Sequence, residues 1–90
     1  MRDLETPNRF KRDYKREKKS DSKLDDVLNP VIDMLLTDAD LPARLADHAL
    51  GGEWKGFRDC HVKPDLVLIY RKSSDVLALA RLGSHSELFG

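Results

Sequence analysis

The chain is 90 residues long, enough for one domain over residues 1–90 with a single modest core. Hydrophobic residues make up 40% and charged residues 36%, which excludes overall disorder and describes a globular chain with a heavily charged surface. Sixteen basic and sixteen acidic residues cancel, the single cysteine excludes an intrachain disulfide, and no apolar run approaches the roughly 20 residues of a membrane span. One cysteine suits a reducing cytoplasm, and MRDLETPNRF holds no apolar signal-peptide core, so a cytoplasmic protein is expected. The cancellation hides a dipole. Residues Arg9 to Lys19 carry seven basic and two acidic side chains, and Asp21 to Asp47 carry two basic and seven acidic ones. A basic block of this kind suits a phosphate backbone or a solvated helix face.

In chain order, Arg2 to Glu5 could form an edge strand. Thr6-Pro7 reads as a helix start, with Thr as N-cap and Pro at the first helical position. A first helix is predicted from about Pro7 to Lys19, with Phe10 and Tyr14 on one face. Ser22 can cap a second helix whose core stripe is Leu24, Val27, Leu28, Val31 and Leu35. Pro30 should kink or bound that helix. The two helices would form an antiparallel hairpin. Arg44 to Ala46 reads as a short strand and Gly51-Gly52 as a turn. Lys55 to Val62 reads as a strand with Trp54, Cys60 and Val62 on one face and Phe57, Asp59 and His61 on the other. Leu66 to Arg71 and Val76 to Leu82 are apolar on both faces, as central strands are. His85 to Gly90 is left as a short tail.

The stretch from Asp47 to Gly90 holds all three histidines, His48, His61 and His85, and the only tryptophan. Each histidine ends or opens a separate segment, with short apolar strands between. The pattern suggests a small sheet that gathers three imidazoles at one edge. Taken with the helices, it predicts an α+β fold: an N-terminal helical hairpin packed on a small antiparallel sheet of about four strands, with room for one more N-terminal edge strand.

This stretch carries Asp47-His48, Leu50, Gly51 or Gly52, Trp54-Lys55-Gly56, Arg58-Asp59, His61-Val62, Pro64-Asp65, Leu68-Ile69-Tyr70, Arg81, Gly83, His85 and Leu88-Phe89-Gly90. In that order and spacing it closely resembles the C-terminal part of the RelE/ParE superfamily of bacterial toxins, specifically the YafQ branch. The resemblance implies a RelE-like fold and the toxin of a type II toxin–antitoxin module. It implies an endoribonuclease (mRNA interferase) that depends on the ribosome, cuts mRNA in the 30S A site and needs no cofactor. The implied partners are a cognate antitoxin of the DinJ-like class and the ribosome, with no membrane and no direct DNA binding by the chain alone.

The resemblance places functional positions on His48, His61, Asp65, His85 and Phe89. RNA carries its own nucleophile, the ribose 2′-hydroxyl. The protein must remove that proton, protonate the leaving 5′-oxygen and stabilise charge on phosphorus. Imidazole suits the first two tasks and a guanidinium the third. His85 and Asp65 are assigned to proton transfer, with His48 and His61 holding, donating to or charging the phosphate. Arg81 is the candidate phosphate stabiliser, and Phe89 a stacking surface for a base. Toxins of this type are usually strongly basic, whereas this chain is neutral; the candidate rRNA-docking surface is Arg9, Lys11, Arg12, Lys15, Arg16, Lys18 and Lys19. Each residue also has a structural reading: Asp65 as a turn former, Phe89 as a tail anchor, Trp54 as a core plug, Cys60 as inert packing. Three histidines with Asp65 or Asp59 could instead bind zinc, although no H-x-x-x-H or C-x-x-C spacing occurs. A gyrase-inhibiting toxin of the ParE kind and an inactive antitoxin-binding paralogue are the alternatives from other classes.

Overall fold

The computed structural model describes residues 2–90. The elements are β1 (Asp3–Glu5), α1 (Asn8–Ser20), α2 (Leu24–Thr37), β2 (His48–Ala49), β3 (Arg58–Lys63), β4 (Leu66–Lys72), β5 (Val76–Gly83) and α3 (His85–Phe89). Pro7, with its φ preset near the helical value, occupies the cap position of α1 in place of Thr6. Lys23 holds the same position in α2, and the Asp21 carboxylate, not Ser22, accepts from its backbone N–H at 3.0 Å. Helix α2 runs through Pro30 to Thr37. The lost hydrogen bond and ring clash cost about 3 kcal/mol. Leu24, Leu28, Val31 and Leu35 are all buried along its inner face. At about 1.5–3 kcal/mol for each buried side chain they outweigh that cost.

The sheet has five strands in the order β1-β5-β4-β3-β2. Four are antiparallel neighbours, as expected, but β1 pairs parallel to β5. The helical hairpin supplies the long crossover that a parallel pair requires. One sheet face packs on the helices, with Phe10, Leu28 and Leu35 meeting Cys60, Leu68, Tyr70 and Leu79. On the opposite face Val67 and Ile69 pack with Leu88 of α3 and with Leu50, Trp54 and Phe57. Strands β4 and β5 are therefore apolar on both faces because both faces are covered.

Several local expectations change. Ala43–Leu45 is a 3-10 turn, not a strand, and the strand sits three residues on at His48–Ala49. Trp54 ends another 3-10 turn, Gly52–Trp54, and meets Phe57 edge-on at 5.3 Å. It shares the face of Phe57, not that of Cys60 and Val62, because the chain turns at Gly56 (φ 91°) before β3 begins. The tail is the helix α3. No helix among the described residues is long and apolar enough to cross a membrane.

Candidate active site

Strand register fixes which side chains share a face, since directly opposed residues of an antiparallel pair point the same way. His48 lies opposite Asp59, Asp59 opposite Ile69, and His61 opposite Val67. All of them lie on the face away from the hairpin. His48 reaches that face on a two-residue strand, which the loop before it anchors. There Asp47 accepts from Arg58 Nη2 at 2.9 Å and from the buried Tyr70 hydroxyl. Burial and the Asp47 bond push the Tyr70 phenol well up, so it stays a hydroxyl donor.

The third histidine arrives on α3. Ser84 accepts from the Glu87 N–H at 3.2 Å, while the Glu87 carboxylate accepts from the Ser84 N–H at 2.9 Å. This capping box starts a helix of five residues immediately after the β5 strand. Leu88 is the buried anchor of α3. Phe89 is 45% exposed, so it is not a tail anchor in the core. Its ring centre lies 6.4 Å from that of His85.

Asp65 sits in the β3–β4 turn, and one of its oxygens accepts from both the backbone N–H and the Nδ1 of His85, at 3.1 and 2.8 Å. The His85 ring bond and then its backbone bond hold the Asp65 carboxyl below the usual carboxylate range. An ionised carboxylate only accepts, so Nδ1 of His85 carries the proton and Nε2 is left for other chemistry. The His61 and His85 rings meet edge to face with centres 5.0 Å apart. His48 donates from Nδ1 to the Ala46 carbonyl at 2.9 Å. Its Nε2 is likewise the remaining nitrogen.

Asp59 is the residue that the sequence reading undervalued. It is 3% exposed, opposes His48 and shares the sheet face of His61. Its Oδ1 is 2.9 Å from His48 Nδ1, an ion-pair distance at an angle that makes no hydrogen bond, since the ring N–H goes to Ala46. That oxygen is buried without a hydrogen-bond partner. Burial raises the Asp59 carboxyl above its ordinary range, and the charges of His48, His61 and His85 oppose the rise. Asp59 thus lies within electrostatic reach of all three rings. The available signal was its place two residues before His61 on one strand.

Arg81 is placed differently from the expectation. It opposes Ile69, but its guanidinium turns to α1 and binds Asp13 at 2.6 and 3.2 Å. It lines a cleft with Arg9, Arg12 and Arg16 of α1. Within the docking set, Arg16 pairs with Asp13, Glu17 and Glu87, and Lys18 pairs with Asp25. Arg9, Lys11, Arg12, Lys15 and Lys19 are exposed. Cys60 is buried, and burial pushes its thiol up to about 12, which leaves it inert. No group of three His, Cys, Asp or Glu side chains among the described residues is set to hold a metal ion. Clefts of about 830 and 610 Å³ lie at Arg2–Asp38–Asp75 and at Asp47–Arg58–Tyr70; neither is lined by an imidazole.

The family model described as a bacterial toxin of type II toxin-antitoxin systems, YafQ, matches residues 2–90. The mRNA interferase toxin YafQ of Escherichia coli K12 is 36% identical over 90 residues, covering 100% of this chain and 98% of that protein. The E. coli DinJ–YafQ complex superposes with a TM-score of 0.91 at 37% identity, with both chains fully covered (100%). A copper-bound mutant toxin from Helicobacter pylori gives a TM-score of 0.93 at 45% identity, over 99% of this chain and 100% of that one.

Proposed function

Because this chain belongs to the YafQ family of type II toxin–antitoxin toxins, we propose that it is an mRNA interferase, a single-domain cytoplasmic endoribonuclease that cuts mRNA on the ribosome. The observation that carries the reading is the contact group Asp65–His85–His61, with Asp59 on the sheet face of His61. His85 transfers a proton through Nε2, with its ring held by Asp65. His61, at 5.0 Å, is the second imidazole of the pair. One ring takes the 2′-hydroxyl proton, and the 2′-oxygen attacks phosphorus. The P–O5′ bond breaks as the other ring protonates the leaving oxygen. A 2′,3′-cyclic phosphate and a free 5′-hydroxyl result. Asp65, held ionised, acts by orienting His85 and stabilising its charged form, not by donating a proton. His48 faces the charge on phosphorus, whereas Arg81 is committed to Asp13 through Nε and Nη2 and keeps only its remaining nitrogen for RNA. Phe89 offers an exposed ring for a base beside His85. A protein antitoxin of the DinJ class, the kind of partner present in the related E. coli toxin–antitoxin complex, silences the toxin.

His85→Ala is expected to slow cleavage of ribosome-bound mRNA by about 10²–10⁴-fold, the usual worth of one acid–base group. Its circular dichroism should match that of the wild type. In the same assay a chelator selective for zinc over magnesium, which leaves the ribosome intact, should leave the wild-type rate unchanged, because the 2′-hydroxyl needs no metal to attack. A fully active variant would remove His85 from the chemistry, and chelator-sensitive cleavage would restore the zinc reading.

A further inference from the structure

We infer that Arg16 is a positioning residue for His85, not a docking cation: its guanidinium latches α1 to α3 and sets the angle at which the His85 ring meets His61. The inference rests on the nuclease reading of His85.

Beyond Ala78, β5 has no strand on its outer side among the described residues, because β1 pairs only with Val76 to Ala78. Helix α1 occupies the open edge. Asp13 accepts from the Leu82 N–H at 3.1 Å, and Arg16 Nη2 donates to the Leu82 carbonyl at 2.9 Å. Both polar groups of a residue three positions before His85 are thus held by one turn of α1. Arg16 spends its other nitrogens on Asp13 at 3.1 Å, on Glu17 at 3.1 Å and on the Glu87 carboxylate at 3.2 Å. Glu87 is the residue that closes the α3 cap. One of its oxygens serves the Ser84 N–H and the other serves Arg16.

Gly83 supplies an independent sign of the latch. A Cβ there would lie 3.0 Å from Arg16 Nη2 and 3.2 Å from Glu87 Oε1. The guanidinium and the carboxylate meet over bare backbone, in a gap that a side chain would fill. A side chain there would push both groups aside by a few tenths of an ångström.

Helix α3 has five residues, too few to hold an orientation by its own hydrogen bonds. Its direction comes from tethers: the capping box, the burial of Leu88, the Asp65 bond to His85 and the Arg16–Glu87 pair. A half-exposed ion pair contributes little to stability. A misplacement of about 1 Å at a reacting group can slow chemistry by about 10²-fold. The latch should accordingly be visible in rate and nearly silent in stability.

Two variants separate it from the cap and from docking. Glu87→Gln keeps an oxygen for the Ser84 N–H but removes the charge that faces Arg16. Arg16→Met keeps the stem and removes the fork. On ribosome-bound mRNA, each should lower the single-turnover rate by about 10–100-fold. The half-saturating ribosome concentration should change by less than about 3-fold. The double variant should be no slower than the slower single, because the Glu87 charge has nothing left to hold once the Arg16 fork is gone. NMR should show weakened His61–His85 ring cross-relaxation in both. Wild-type rates in both variants, additive losses, or an effect confined to half-saturation would overturn the inference, the last making Arg16 a docking cation. If the wild type cuts no RNA, the nuclease reading fails by itself. The NMR arm then decides the latch, and unchanged cross-relaxation in both variants overturns it.

Discussion

Asp59 shows how a single buried charge can serve function at the expense of stability. It is 3% exposed, one oxygen lacks a hydrogen-bond partner, and burial raises its carboxyl. A raised carboxyl in the folded chain favours the neutral form. Its stabilising contribution is therefore complete below the ordinary Asp range and is lost as pH rises through the raised value. Above that range the wild type holds a buried carboxylate whose Oδ1 has no hydrogen bond and only the His48 ring at ion-pair distance. Asp59→Asn should gain about 1 kcal/mol near pH 7, about 4–8 °C in melting temperature for a domain of this size. The gain should fade as the pH falls through the raised range, and cleavage should weaken because the three imidazoles lose their common counter-charge. Thermal melts of both proteins from pH 4 to 8 check the sign; a loss of stability at neutral pH would show that Asp59 is well paired. Asp65 has the opposite sense. Its carboxyl is lowered by His85, so the tie to α3 holds above the ordinary Asp range and loosens on acidification.

At the scale of elements, α3 is the piece that sequence periodicity could not find. Five residues complete little more than one helical turn and show no repeat of apolar positions. The S-x-x-E pattern of Ser84 to Glu87 was nevertheless readable as a helix start. Its importance came from elsewhere: the helix holds His85 in its first turn and Phe89 in its last, so a cap on a minor element aims two site residues. Ser84→Ala should cost about 0.5–2 kcal/mol by loss of the cap. Its effect on cleavage should exceed what that loss alone implies, since the fold survives while the His85 angle does not. Comparing melting temperature with single-turnover rate tests this, and a rate unchanged by the substitution would show that Leu88 and Asp65 suffice. Helix α2 makes the complementary point. Pro30 alone predicts a break, but four buried aliphatic side chains on one stripe keep the helix whole.

The whole molecule is neutral, yet its charges are not evenly spent. Several acidic residues outside α1 are tied locally: Asp25 to Lys18, Asp38 to Arg2 and Lys72, Asp21 to Lys63. Arg16 is taken by Asp13, Glu17 and Glu87, and the exposed α1 cations outside all these pairs are Arg9, Lys11, Arg12, Lys15 and Lys19. A neutral chain can therefore still present a basic face to RNA. Ribosome binding should weaken steeply with salt. Replacing Lys11 or Lys15 should reduce the slope of log affinity against log salt by about 1, through one fewer released counterion. Lys18→Ala, whose charge Asp25 already occupies, should leave the slope nearly unchanged. Equal slopes for all three variants would move the docking surface off α1.

The residues near the chain's own histidines were legible because alternation along a strand needs no partner to be read. His48, Asp59 and His61 lie on adjoining strands, and His85 follows the last strand directly. The two apolar strands between them required cover on both faces. Tertiary structure alone decided where the charges ended. Arg81 and Asp13 are 68 residues apart, and the open edge of β5 brings them together. Asp65 and His85 are 20 apart and are joined because the β3–β4 turn and the end of β5 lie at the same end of the sheet. A guanidinium or carboxylate states its charge in the sequence, but its partner depends on strand register and helix packing. Those are properties of the assembled chain.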